Sequence, residues 1–107
     1  MDCLFCKIIN KEIPSDIIYE DEKVLAFKDI NPKAVIHFLI IPKKHIESIN
    51  HLEESEREII SNLIFTAKKI AKEKNIEGYK LVFNVGRKGG QIIDHIHLHF
   101  LAGGNNK

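Results

Sequence analysis

The sequence predicts an α+β protein in which one long and one short helix pack on one face of a five-stranded antiparallel sheet. Its β-prone runs are grouped before and after a single long helical pattern, without the regular alternation of strands and helices that a parallel sheet requires. The 107 residues, 44% of them apolar and 29% charged, are enough for one hydrophobic core and too few for two. The formal net charge of +1 gives no bulk field to hold a nucleic acid or an anionic membrane surface.

Five runs rich in β-branched and aromatic residues predict the strands, at 17–19, 24–27, 35–41, 79–85 and 95–101. The charged turn 21–23 joins the first two strands as a hairpin. Pro42 ends the third strand, because proline cannot donate a ladder hydrogen bond. A glycine-rich turn at 86–91 separates the last two strands.

Two segments predict helices. The long helix runs from Glu53 to Lys74, where apolar residues recur every three or four positions and form one stripe. Ser55 is its expected N-cap. The short helix covers Cys3 to Lys11 and is stopped by Pro14, which biases the residue before it towards an extended backbone.

The sequence predicts a cytoplasmic protein without a leader or a membrane span. Its amino terminus has neither a basic leader nor a long apolar core. The longest charge-free apolar stretch, 35–41, is far shorter than the roughly 20 residues of a spanning helix. We expect one domain, 1–107, with a short flexible tail at 103–107.

Three of the six histidines, His95, His97 and His99, alternate with apolar residues. Successive side chains of a strand point to opposite faces, so the three imidazoles line one surface while their neighbours anchor the other in the core. A polar face without a function would more commonly carry Ser, Thr, Lys or Glu, so the pattern favours a functional site. Same-face neighbours on one strand are about 7 Å apart, which argues against one metal ion bound by all three.

Two other features, His37 and the turn 86–91, are candidates for the same site as the three histidines. His37 shares a face with Leu39 and Ile41 of the third strand, although a single structural histidine in an apolar strand is an equally good interpretation. The turn 86–91 offers backbone N–H groups and the basic side chain of Arg87 to phosphate oxygens. It lacks the spacing of a P-loop, and taken alone an ordinary turn is the simpler interpretation.

The run from His95 to Leu101 resembles the signature of the histidine triad (HIT) superfamily of nucleotide hydrolases and transferases. The resemblance continues in the right order through segments at 5–9, 12–14, 26–30, 37–45 and 84–91. The chain looks most like the Hint branch, whose members hydrolyse purine nucleoside phosphoramidates such as AMP linked to an amine.

This resemblance implies catalytic roles for His97, His99 and His37. His97 is the implied nucleophile, which attacks the α-phosphorus and forms a covalent nucleotidyl-imidazole that water then hydrolyses. His37 and His99 are implied to bind the phosphoryl oxygens, and His99 is a candidate for moving the proton of the leaving group. The resemblance implies no catalytic metal, and it implies a homodimer.

The resemblance also implies a nucleoside pocket. Asp29 matches the carboxylate that binds the ribose hydroxyls, and Asn84, Gly90 and Gln91 match residues on the phosphate side. The residues that match the apolar walls around the purine are Phe5, Ile8, Phe27, Ile30 and Leu39. Without the family, core packing is the better interpretation of each wall residue, and Asp29 is equally well a turn residue.

Cys3 and Cys6 form a Cys-x-x-Cys pair. In many bacterial relatives such a pair joins two histidines in a structural zinc site, and the matching histidines here are His45 and His95. Two thiolates and two imidazoles make a closed tetrahedral ligand set. The alternative is a redox dithiol of the thioredoxin kind, but the parallel βαβ unit that would surround it is not predicted.

One position departs from the family's pattern. Many relatives carry a small hydroxyl residue directly after the Gly-Gly-Gln segment, whereas this chain has Ile92. We expect the loss of that donor to lower turnover of phosphoramidates or to change the preferred leaving group. Two alternative functions stay open, hydrolysis of diadenosine polyphosphates and a purine-nucleotide-binding or zinc-dependent partner-binding module with little turnover.

Overall fold

A computed structural model describes residues 3–103 of the chain. Its helices and strands are, in order, α1 (Leu4–Ile9), β1 (Ile17–Glu20), β2 (Val24–Lys28), β3 (Ile36–Pro42), α2 (Arg57–Glu73), β4 (Lys80–Phe83) and β5 (Leu98–Ala102). All strand pairs are antiparallel, and the sheet order is β1-β2-β3-β5-β4. The predicted α+β class and five-stranded antiparallel sheet are confirmed. Of the predicted tail, 103–107, all but Gly103 lies outside the described residues.

The sheet is covered on both faces, so the prediction that both helices pack on one face is wrong. The buried stripe of α2 and the strand residues beneath it form one core, which includes Leu63, Ala67, Ile70, Ala71, Val24, Ala26, Phe38, Ile40, Leu98 and Phe100. The second core lies under α1 on the opposite face and consists of Cys3, Phe5, Ile8, Leu25, Phe27, Leu39 and Ile41. The central strands β2 and β3 are apolar on both sides, which is the pattern of a sheet with two covered faces.

The helices are shorter than predicted. A 3₁₀ turn, Glu54–Glu56, precedes α2, and the Glu56 carboxylate accepts the backbone N–H of Glu53 at 2.9 Å. The predicted cap, Ser55, lies inside this turn, so glutamates rather than the serine begin the helical segment. In α1 the helix ends two residues early because Lys11 has a φ of +64°, in the left-handed region. Neither described helix is long and apolar enough to cross a membrane.

The last strand, β5, begins at Leu98 rather than at the predicted His95. The segment before it leaves the ladder, since the His95 backbone N–H donates to the Ile93 carbonyl and the Ile96 N–H to the Ile46 carbonyl. The alternation of side chains nevertheless continues through this segment, because Ile96 is buried in the α2-side core like Leu98. The histidines therefore share one face, as the alternation predicts, and that face is the one that α1 covers.

Candidate functional site

The three predicted catalytic histidines lie together on the α1 side of the sheet. In the β3–β5 pair, His99 is opposite Leu39 and His37 is opposite Leu101, which places both histidines on one face. Their nearest ring nitrogens, His37 Nε2 and His99 Nδ1, are 2.9 Å apart. The His97 ring lies next to them, with its centroid 5.0 Å from that of His99.

The hydrogen bond of His97 defines which of its nitrogens is free. Its Nδ1 is 2.7 Å from the backbone carbonyl of His95, and because a carbonyl only accepts, Nδ1 carries the proton. Nε2 therefore holds the lone pair of a neutral ring. Every buried side-chain nitrogen or oxygen among the described residues has a hydrogen-bond partner. Because Nε2 has no partner among these residues, it is not buried and reaches solvent. Burial lowers the pKa of His97, which keeps the ring neutral at pH 7.

A backbone amide sets the tautomer of His37. The Lys33 N–H donates to His37 Nδ1 at 3.0 Å, so in the neutral ring the proton is on Nε2. That N–H points to His99 Nδ1 at 2.9 Å, with Asp29 Oδ2 at 3.4 Å. His99 then accepts at Nδ1 and carries its own proton at Nε2. Burial is the main cause that lowers the pKa of His37 and lowers that of His99 to about 4.

The orientation of the Asn84 side-chain amide follows from this chain of hydrogen bonds. Its amide group is 3.3 Å from His99 Nε2. Because that nitrogen is a donor when His99 accepts from His37, the amide must present its oxygen, which a half-turn of the amide group achieves. The Asn84 NH₂ group then turns away from His99.

Asp29 occupies the turn that follows β2. Its Oδ1 accepts the Asn31 backbone N–H at 2.8 Å, which is the turn interaction that the sequence left open. Its own backbone N–H donates to the His37 carbonyl at 3.0 Å. The carboxylate thus supports the turn and the histidine pair, and its contact with ribose stays a prediction.

The glycine-rich turn is held from inside by Gln91, which is 2% exposed. Its Oε1 accepts the Gly86 N–H at 2.8 Å, and its Nε2 donates to the carbonyls of Glu47 and Ile93 at 2.6 and 2.9 Å. These bonds leave no side-chain donor for a phosphate, so any contact from Gln91 must come from its backbone. Gly90 has a φ of +92° and faces the Asn84 side chain, a place that disfavours any other residue.

An ion pair that the sequence reasoning missed closes the same turn. Arg87 donates to both carboxylate oxygens of Asp94, at 2.7 and 3.0 Å, and to the Gln91 carbonyl at 2.8 Å. The sequence did carry a signal for this ion pair, because Arg87 and Asp94 have opposite charges and lie on either side of Gly89 and Gly90. The pair connects the turn to the residue directly before His95.

The predicted apolar walls divide into two groups. Four of them, Phe5, Ile8, Phe27 and Leu39, are buried in the core under α1. The fifth, Ile30, is 87% exposed, and Ile92 at the position of the expected hydroxyl is 79% exposed. These two side chains offer open apolar surface to a ligand.

The four predicted metal ligands converge on one point. Cys3, Cys6, His45 and His95 each offer one ligand atom, and these atoms all lie within 4.8 Å of one another. The His45 and His95 Nδ1 atoms are 3.2 Å apart, and three of the four sulfur to nitrogen distances are 3.4, 3.5 and 3.8 Å. A tetrahedron with zinc bond lengths has edges of about 3.3 Å between nitrogens and about 3.6 Å between nitrogen and sulfur. The set therefore has the size of a closed zinc site.

The protonation of this set also fits a metal ion. His95 Nε2 is 2.8 Å from the Pro42 carbonyl and must donate to it, which leaves the Nδ1 lone pair for the ion. Burial and the neighbouring Cys3 raise the pKa of Cys6 to about 11, so a thiolate needs a nearby cation. Both cysteines are free thiols rather than a disulfide.

A second group of possible ligands, Asp29, His37 and His99, has a different character. Its two histidine nitrogens are at hydrogen-bond distance, 2.9 Å, and the Lys33 amide places a proton between them. A metal ion at His37 Nε2 would move that proton to Nδ1, against the Lys33 N–H. This group is a hydrogen-bonded chain, whereas the cysteine and histidine set presents lone pairs to one point.

The chain is similar to several known proteins over nearly its whole length. A family model described as "Scavenger mRNA decapping enzyme C-term binding" matches residues 2–106. A "14 kDa zinc-binding protein" of Zea mays is 50% identical over 103 residues, which cover 94% of this chain and 80% of the maize protein. A HIT family hydrolase from Legionella pneumophila has a TM-score of 0.92 at 50% identity, over 95% of this chain and 93% of its own. A histidine triad protein from Clostridium difficile has a TM-score of 0.95 at 47% identity, over 100% of this chain and 95% of its own.

Proposed function

Because this chain belongs to the histidine triad superfamily, we propose that it hydrolyses purine nucleoside phosphoramidates through a covalent nucleotidyl group on His97. The observation that carries the proposal is the hydrogen bond from His97 Nδ1–H to the His95 carbonyl, at 2.7 Å. It directs the lone pair to Nε2, and the lowered pKa keeps this nucleophile unprotonated at pH 7.

The reaction proceeds by two displacements at the α-phosphorus. In the first, His97 Nε2 forms a bond to phosphorus while the bond from phosphorus to the amine nitrogen breaks, and the amine leaves with a proton taken from His99 or from solvent. In the second, water forms the new bond to phosphorus and returns a proton to that donor, the bond to Nε2 breaks, and the nucleoside monophosphate is released. The same imidazole is regenerated, so no other reactant is consumed.

The neighbouring imidazoles supply hydrogen-bond donors in this scheme. With the proton of His37 directed to His99, the Nε2–H of His99 points to the Asn84 amide, and it exchanges that partner for a phosphoryl oxygen or the leaving nitrogen when the substrate binds. Gly90 lets the backbone of the turn approach the phosphate without a side chain in between. These groups stabilise the charge that develops on the phosphoryl oxygens.

The nucleoside lies, in this proposal, between Asp29 and the apolar side chains. Asp29 accepts from the ribose hydroxyls, as carboxylates commonly do. The exposed Ile30 contacts the purine directly, and the buried residues Phe5, Ile8, Phe27 and Leu39 form the floor behind it. Asn84 completes the phosphate side with its NH₂ group.

The metal of the proposal is a structural zinc ion at Cys3, Cys6, His45 and His95. The edge lengths of the set and the zinc named for the maize relative support it. Two reduced thiols fit a cytoplasmic location, which we also propose.

The proposal includes a homodimer. Strand β4 forms one edge of the sheet, and its outer backbone groups are unpaired within the sheet. Leu81 in this strand is 37% exposed, which adds apolar surface to that edge. An edge strand of this kind is a template for a strand from a second copy.

Ile92 favours one alternative, a nucleotide-binding module with little turnover, because it removes the expected hydroxyl donor from the site.

Steady-state turnover of an adenosine phosphoramidate and of a diadenosine polyphosphate, on one preparation, separates the three functions. We expect faster release of AMP from the phosphoramidate. The His97→Ala variant should lose this activity, whereas His51→Ala, which changes an ion pair with Glu47 outside the site, should keep it. Full activity of His97→Ala would reject the proposal, and tight AMP binding with no turnover of either substrate would favour the module.

A further inference from the structure

Phe5 packs directly against the ring of the proposed nucleophile. Its centroid is 5.1 Å from that of His97, and the two planes meet at 83°. The same phenyl ring packs edge to face against His95 at 5.8 Å and Phe27 at 5.5 Å. Phe5 is 4% exposed, so it offers a purine almost no free surface.

On the basis of the proposed function, we propose that Phe5 is a positioning residue for His97, and that the metal site holds Phe5 in place. The Phe5 ring fixes one side of the imidazole, and the His95 carbonyl fixes Nδ1. Together these contacts direct Nε2 towards the phosphorus. Without them the ring has freedom to rotate about its side-chain bonds.

The position of Phe5 depends on α1, which has only six residues. Isolated helices of this length are not stable in water, so α1 needs support from outside itself. Cys3 and Cys6 lie on either side of Phe5, and the Cys3 sulfur, at the N-cap, accepts the Cys6 backbone N–H at 3.4 Å. An ion bound by both sulfurs therefore fixes the backbone before and after Phe5.

The other end of the metal site reaches His97 by a second route. His95 offers Nδ1 to the ion, while its backbone carbonyl accepts the proton of His97 Nδ1. The side chain and the backbone of one residue thus connect the ion to the nucleophile. Loss of the ion is expected to loosen both supports of the His97 ring, the phenyl contact and the carbonyl.

The test compares Phe5→Leu with Ile9→Ala. The first variant keeps an apolar side chain but removes the aromatic ring, and the second disturbs the same core from the next turn of α1. The readouts are zinc content, the NMR signal of the His97 Nδ1 proton, and the rate of His97 nucleotidylation with its KM. We expect Phe5→Leu to lower the rate about 10- to 100-fold at nearly unchanged KM, because small displacements of a reacting group have effects of this size.

Phe5→Leu should also broaden or shift the Nδ1 proton signal of His97 at full zinc content, and Ile9→Ala should leave rate and signal unchanged. Wild-type protein freed of zinc with a chelator is the second arm, and it should show the same change at His97 with the amide spectrum outside α1 and the metal ligands preserved. A raised KM with an unchanged rate in Phe5→Leu would limit Phe5 to its place in the floor of the nucleoside pocket and overturn the inference. An unchanged His97 signal in either arm, or global unfolding without zinc, would overturn it too.

The two proposals fail in different ways. If the wild-type protein never forms a nucleotidyl-histidine, the proposed function is wrong. The proton signal still decides the inference in that case, since it reports the His97 ring without any substrate.

Discussion

At the scale of single residues, two backbone groups decide the proton positions of the candidate catalytic histidines. The His95 carbonyl requires a proton on His97 Nδ1, and the Lys33 amide requires a lone pair on His37 Nδ1. His97 is thereby an acceptor at Nε2. His99, which accepts the proton of His37 at Nδ1, is a donor at its own Nε2. A nucleophile and a donor side by side are what two-step phosphoryl transfer needs.

The substitution Ile92→Ser tests the departure from the family's pattern. The side chain is 79% exposed, so its replacement has little effect on stability, while the hydroxyl restores a donor beside the phosphate. We expect turnover of an adenosine phosphoramidate to rise about 10-fold or more. The measurement is kcat for both proteins, with Ile92→Ala as the control for lost bulk. Equal kcat values for the serine and alanine variants would show that the hydroxyl has no role here.

Single residues also show where sequence reasoning stops. The alternation of His95, His97 and His99 with apolar residues was enough to predict their common face. The roles of Pro42 and Lys33 were beyond its reach, because a carbonyl or an amide is present at every residue and only the fold selects which one acts. For Gln91 the sequence indicated a residue on the phosphate side, whereas its side chain forms hydrogen bonds within the protein that hold the turn from inside.

At the scale of elements, the turn between β4 and β5 is the least regular part of the site. Gln91 fixes it from the interior and the ion pair of Arg87 with Asp94 fixes it at the surface. The Arg87 and Asp94 side chains are 63% and 55% exposed, so the pair contributes little to global stability. Its effect is local, on the path of the backbone beside Asn84 and Gly90.

Removal of this ion pair tests the role of the turn. We expect Arg87→Met and Asp94→Asn each to raise the KM for the nucleotide several-fold, because a looser turn binds the phosphate less well. Lys88→Met, the adjacent cation in the same turn, is the matched control for lost positive charge. The double variant should be no worse than Arg87→Met alone, since both substitutions remove the same ion pair and only Arg87→Met also removes the hydrogen bond to the Gln91 carbonyl. Additive effects, or an equal effect of Lys88→Met, would point to charge rather than to the turn.

The elements were predicted unequally well. Seventeen helical residues gave α2 a periodicity that could be recognised, although the start was misplaced because glutamates precede the helix where Ser55 was expected to cap it. Six residues of α1 are fewer than two turns, so its pattern could not indicate which face of the sheet it covers. The strand before Leu98 was predicted too long, because alternation continues where the ladder has ended.

At the scale of the whole molecule, the sheet separates two different interiors. The α2 side is an apolar core with stacked rings, in which Phe100 lies against Tyr79 at 4.5 Å and Phe38 at 5.2 Å. The α1 side holds the buried histidines and the metal ligands above a smaller apolar layer. The larger apolar core therefore lies on one face of the sheet, and the candidate site lies on the other.

The histidines on the α1 side of the sheet make stability depend on pH. Burial lowers the pKa of His99 to about 4 and also lowers that of His37, whereas histidine in an unfolded chain has a pKa near 6.5. Between these values the unfolded chain binds more protons, so the free energy of unfolding falls as the pH is lowered from about 6.5 towards 4. Denaturant unfolding across this range should show a shallower dependence in His99→Gln, which keeps the metal ligands. Parallel curves for the two proteins would contradict this prediction.

The most direct test of the central claim is to trap the covalent intermediate on the zinc-loaded protein. Brief reaction with a radiolabelled adenosine phosphoramidate, followed by an alkaline quench that preserves phosphorus–nitrogen bonds, allows the labelled peptide to be mapped by mass spectrometry. We predict one AMP group on the ring of His97 and none in His97→Ala. Label on another residue, or AMP release with no covalent protein species at any reaction time, would contradict the account.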